Sequence, residues 1–122
     1  MSLYTTFTVG DKEYKARLTT KALIGLERKL GRNPINILAE VGQNGDIMPK
    51  MEPMLDILHA SLQAYEHGIS IDDVYDLYDA WLEEGKTSVD FITLIVRICQ
   101  DSGLIPNEEE IAKQSKNAKR GQ

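Results

Sequence analysis

From Leu3 to Val9 the chain alternates: Leu3, Thr5, Phe7 and Val9 fall on one side of an extended backbone, and Tyr4, Thr6 and Thr8 on the other. Gly10-Asp11 then reads as a two-residue turn with glycine where φ must be positive. Pairing across that turn sets Val9 opposite Lys12, Phe7 opposite Tyr14, Thr5 opposite Ala16 and Leu3 opposite Leu18. In this register the apolar faces of both strands coincide, and a one-residue slip would turn them apart. The pattern predicts a hairpin over residues 3–18. An isolated hairpin is marginal in water, so this one must lie on helices or extend another sheet.

Beyond residue 18 the period lengthens, and five helical segments are expected between about residues 20 and 103, each closed by a glycine. Thr19 or Thr20 caps the first, which buries Leu23, Leu26 and Leu30 and stops at Gly31. Asn33-Pro34 opens the second as cap and first-turn proline, and Gly42 ends it. QNGDIMP is a loop, and the third helix begins between Pro49 and Pro53. Its apolar stripe is Met54, Leu55, Leu58, Leu62 and Tyr65, with Gly68 as terminator. Ser70 caps the fourth with Asp73 completing a capping box, while Ile69 and Val74 form a hydrophobic staple; Thr87 and Asp90 repeat the box before the fifth. The expected architecture is mainly α: a small bundle of about five helices preceded by an N-terminal antiparallel β-hairpin, in one globular domain over residues 1–105. Residues 106–122 hold one large apolar residue, Ile111, among polar and charged ones, and read as a flexible C-terminal tail.

Two helices have faces that raise a functional question. In VYDLYDAWLEEG (74–85), Val74, Tyr75, Leu77, Tyr78, Trp81 and Leu82 take one side with Ile71, and Asp72, Asp76, Asp79 and Glu83 form a stripe on the other. Carboxylates that catalyse need a concave, partly dry setting that separates their pKa values. An exposed stripe offers the reverse, so this is an amphipathic helix whose acids are either a solvated face or a docking surface for a basic partner. The fifth helix has a polar stripe of Thr93, Arg97, Gln100 and Asp101, and apolar residues cover the remaining arc of about 200°, more than a surface helix needs. Either it is central to the core, or part of that face, with Phe91, Ile95 and Ile98, meets another chain.

Composition narrows the classes. A chain of 122 residues with 42% hydrophobic and 27% charged residues suits one globular domain. No apolar run reaches the roughly 18 residues of a membrane span, and the N-terminus lacks the pattern of a secretory signal. The net charge of −5 disfavours nucleic acid as a partner. That charge is uneven: residues 1–32 carry seven Lys/Arg against three acids, and residues 66–90 carry eight acids against Lys86. Such polarity suits a homo-oligomer built head to tail, a partner of complementary charge, or two solvated faces.

Candidate chemistry adds little. Cys99 is the single cysteine, which excludes internal disulfides and multi-thiolate metal sites, and it lies in the apolar arc as a small hydrophobe. On one continuous helix His59 and His67 would stand about 80° apart around the axis and about 12 Å along it, too far to share a metal. Ser61 has no base that spacing identifies, and GDKEY and GRNP lack the glycine spacing of a phosphate loop. No catalytic residue, cofactor or metal is expected, and the residues read as a small soluble binding protein.

LTTKALIGLERKLGRNPINIL (18–38) followed by LHASLQAYEHGISIDDVYDLYDAWLEEG (58–85) resembles the tail assembly chaperone family of long-tailed phages and prophages of Gram-positive bacteria. The resemblance spans roughly residues 12–103. It is most specific at Leu26-Glu27 through Gly31, Asn33-Pro34, Gln63 to Gly68, and Tyr75-Asp76-Leu77-Tyr78-Asp79. It implies a non-catalytic protein of the host cytoplasm, absent from the finished virion. Such a protein binds the tape-measure protein, keeps it soluble and helps tail-tube subunits assemble around it, in some cases through a longer frameshifted form. On this reading Asp72, Asp76, Asp79 and Glu83 are charged contacts and Phe91, Ile95 and Ile98 apolar ones. The alternative from another class is a structural virion component, such as a head–tail connector or minor tail protein.

Overall fold

The computed structural model of the chain describes residues 3–39 and 48–106. Strands β1 (Thr5–Val9) and β2 (Lys12–Ala16) form a two-stranded antiparallel sheet. Five helices follow: α1 (Thr20–Leu30), α2 (Pro34–Ala39), α3 (Met51–Leu62), α4 (Ile71–Glu83) and α5 (Ser88–Asp101). This is the mainly α architecture with an N-terminal hairpin that the patterning predicts. The expected end of the second helix at Gly42 and the C-terminal tail from residue 107 lie outside the described residues.

The hairpin register is Thr5 with Ala16, Phe7 with Tyr14 and Val9 with Lys12. Gly10 at φ 63° supplies the left-handed turn position. Thr5, Phe7 and Val9 are buried in alternation, but Leu3 stands 44% exposed outside the ladder, so the expected Leu3–Leu18 pair does not form. The sheet lies on the bundle, β1 against α4 and α5 and β2 against α3. Phe7 stacks on Tyr14 at 5.3 Å and meets Trp81 edge-on at 6.5 Å; Trp81 and Tyr78 meet Phe91 at 6.0 and 4.8 Å. At the far end of α5, the Thr5 hydroxyl donates to Asp101 Oδ2 at 2.6 Å and the Leu18 amide donates to Ser102 Oγ at 3.0 Å.

The caps fall where the sequence places them. Thr19, rather than Thr20, caps α1 by accepting from the Ala22 amide, and Asn33 Oδ1 accepts from the Ile35 amide at the start of α2. Ser70 with Asp73 and Thr87 with Asp90 both form capping boxes. α3 is the central element, packed against α1, α2, α4, α5 and β2, and residues 54–58 are all buried. It ends at Leu62, sooner than Gly68, and Tyr65 is 41% exposed in the turns that follow. On α1 only Leu26 is buried, with Leu23 and Leu30 half-buried at its edges.

The apolar face of α5 packs inside the chain. Phe91, Ile95 and Ile98, the apolar contacts expected from the wide arc, are each 0% exposed and face the core of their own chain, so the core takes them rather than the surface. The reason is geometric: α5 packs against α3 and β1, and Phe91 also meets Tyr78 and Trp81 of α4, so several neighbours share an apolar arc too wide for one.

Candidate functional site

A groove of about 610 Å³ lies between α1 and α3. The two helices run antiparallel, with the Arg17 amide bonded to Ser61 O at 2.8 Å near one end and Lys29 Nζ bonded to Asp56 Oδ1 at 2.8 Å near the other. On α1, Ala22, Gly25, Leu26 and Lys29 recur at helical spacing on the groove side; from α3 and the turns after it come His59, Ala60, Gln63, Ala64 and His67. The lining includes the small residues Ala22, Gly25, Ala60 and Ala64, and its exposed area is mostly carbon.

The polar residues of the groove are held in place. His59 Nε2 lies 3.0 Å from Ile69 O; a carbonyl only accepts, so this nitrogen carries the proton. Gln63 Nε2 donates to His59 O and Ile69 O at 3.1 and 3.2 Å, tying the segment after α3 back onto the helix. α3 stops at Leu62, so His67 lies beyond the helix, and it lines the same groove as His59. Asp56 is only 5% exposed and is matched by Lys29, whose side chain remains 55% exposed. The Asp56 hydrogen bond holds the Lys29 ammonium above its ordinary pKa. Among the described residues, no group of three His, Cys, Asp or Glu side chains is placed to hold a metal ion.

Asp72, Asp76, Asp79 and Glu83 come together on the exposed face of α4, and none forms an ion pair among the described residues. Tyr75 and Leu82, assigned by periodicity to the apolar side, are each 40% exposed at the border of this stripe. α4 buries Val74, Leu77 and Trp81 in a narrower face than its sequence offers. The acids nearest the hairpin have different duties. The Gly10 amide donates to the Glu84 carboxylate, which holds that group below its ordinary pKa with help from Lys86. Glu66 pairs with Lys12 at 3.1 Å and raises the lysine.

Sequence reasoning missed the groove altogether. Its signals are modest: Ala22 and Gly25 on α1, Ala60 and Ala64 at i, i+4, and lysines flanking them at positions 21 and 29. Small residues at helical spacing mark a close approach or a trough, and only the placement of neighbouring helices distinguishes them.

No helix among the described residues is long and apolar enough to cross a membrane. Residues 3–120 match a family model described as "Family of unknown function (DUF6096)". No curated protein and no solved structure matches the chain.

Proposed function

The chain belongs to this family of unknown function, DUF6096, and we propose from its own residues and surface that it is a non-catalytic tail assembly chaperone, binding and solubilising a tape-measure protein while tail-tube subunits assemble around it. The observation that carries this reading is the open, largely carbon-lined groove between α1 and α3. Both walls come from the two segments, 18–38 and 58–85, that resemble tail assembly chaperones, together with Asp56 just before the second.

A tape-measure protein is a long amphipathic coil, and a bare apolar stripe on such a coil drives aggregation. A groove between two helices covers such a stripe by laying it against an apolar floor while the polar side of the client faces water. The apolar contact therefore moves from the buried residues of α5 to the floor of the groove. The exposed acids Asp72, Asp76, Asp79 and Glu83 supply a second, charged contact surface on α4. On this reading the protein acts in the host cytoplasm and leaves before the virion is complete.

The test is co-expression with the large coiled-coil-rich protein encoded just downstream, followed by size-exclusion chromatography of the soluble fraction. The expected result is a partner that is soluble only in the presence of this chain and co-elutes with it. A partner that stays insoluble while this chain elutes alone, or this chain recovered from purified particles, counts against the reading.

A further inference from the structure

The charges of the α1–α3 groove select among the helices that would enter it. Lys21 and Lys29 stand eight residues apart on α1, about 12 Å along its axis, and Arg28 adds a third exposed cation to that helix. Glu27, the one acid on α1, is engaged by Asn33 Nδ2 at 3.2 Å. On the facing wall Asp56 lies beneath Lys29, and the lysine is the more exposed partner by 55% to 5%. An incoming molecule thus meets ammonium groups first, on a protein whose net charge is −5. Between the cations, a Cβ added at Gly25 would meet no atom within 4 Å.

We infer that this groove holds an amphipathic helix of the client whose apolar stripe is bordered by carboxylates about two turns apart. The identity of the protein supplying that helix rests on the chaperone reading; the chemistry of the helix does not. Ala22, Gly25, Ala60 and Ala64 leave room for a third helix to approach the pair at the usual interaxial distance of about 8–10 Å. Apolar residues at i, i+3 or i+4, and i+7 fill the trough, and the flanking carboxylates meet Lys21 and Lys29. These rim charges fix orientation and partner choice more than they add affinity, and a lysine-flanked helix is disfavoured.

The test titrates the full-length chain into a labelled helical peptide with a leucine stripe and glutamates seven residues apart, read by fluorescence anisotropy. A second peptide carries lysine in place of each glutamate. The glutamate peptide is expected to bind more tightly by about tenfold or more at low salt, with the preference shrinking as ionic strength rises. Gly25→Leu projects a side chain into the trough from a helical position and is expected to weaken binding about tenfold while the circular dichroism spectrum is retained. Lys21→Glu, which breaks no ion pair among the described residues, is expected to reverse the peptide preference. Equal binding of the two peptides, or full binding by Gly25→Leu, overturns the inference. Concentration-dependent self-association that Gly25→Leu abolishes would give the groove to a second copy of this chain and overturn it as well. If the peptide preference holds and co-expression fails, the chaperone reading falls and the groove chemistry stands; the reverse result removes only the groove.

Discussion

Asp56 sits in the middle of the buried run of α3 at 5% exposure, and a carboxylate there survives because Lys29 reaches it from α1. Lys29→Met leaves the acid without a partner. Because half of the lysine is in water, the expected cost is discounted to about 1–2 kcal/mol, measured by urea unfolding at neutral pH, and adding Asp56→Asn recovers most of it. The pH dependence has a definite sign. The folded pKa of Lys29 lies above its ordinary 10.5, so this contribution is complete below that value and is lost as pH rises through the raised one. Cys99 behaves oppositely to a reactive thiol: burial pushes it up to about 11. At pH 8 it is expected to react with a thiol reagent only as fast as the chain opens, and at the ordinary rate in denaturant.

At the scale of elements, α1 is the least buried of the long helices, with Leu26 alone in the core, and it carries a glycine in its interior. A Cβ at Gly25 meets nothing, so Gly25→Ala is expected to stabilise the protein by about 0.5–1 kcal/mol through helix propensity alone, seen as a higher urea midpoint with unchanged slope. α5 is the opposite case. Ile95 is 0% exposed, and Ile95→Ala is expected to cost about 2–5 kcal/mol in the same assay. A loss below about 1 kcal/mol, the range of a surface substitution, would return α5 to the candidate interfaces.

Across the whole molecule, positive charge gathers on α1 and negative charge on the outer face of α4, with α3 between them in contact with both. Asp72, Asp76, Asp79 and Glu83 bear little on folding, since they face solvent without ion pairs among the described residues. Asp76→Lys with Asp79→Lys is therefore expected to leave the melting curve unchanged and to reduce capture of the tape-measure partner in co-expression. Full capture by the double variant removes the acidic face from the proposed function and leaves the groove.

The sequence by itself determined the local structure: the Gly10-Asp11 hairpin and its register, the caps at Thr19, Asn33, Ser70 and Thr87, and the number and order of the helices. These follow from interactions within a few residues, which periodicity and side-chain chemistry report directly. It also aligned Asp72, Asp76, Asp79 and Glu83, because one helix fixes that spacing. Only the tertiary structure decided which apolar faces are consumed. Phe91, Ile95 and Ile98 lie inside because α3, β1 and α4 all pack on α5, while Tyr75 and Leu82 stay out because α4 buries only a narrow face. The groove belongs to the same class of decision. It is lined by Ala22 and Gly25 from α1 and by Ala60 and Ala64 from α3 and the turn after it, and α3 ends early enough to bring His67 to its wall. No local pattern encodes the distance between two helices; the side chains that pack beneath them set it.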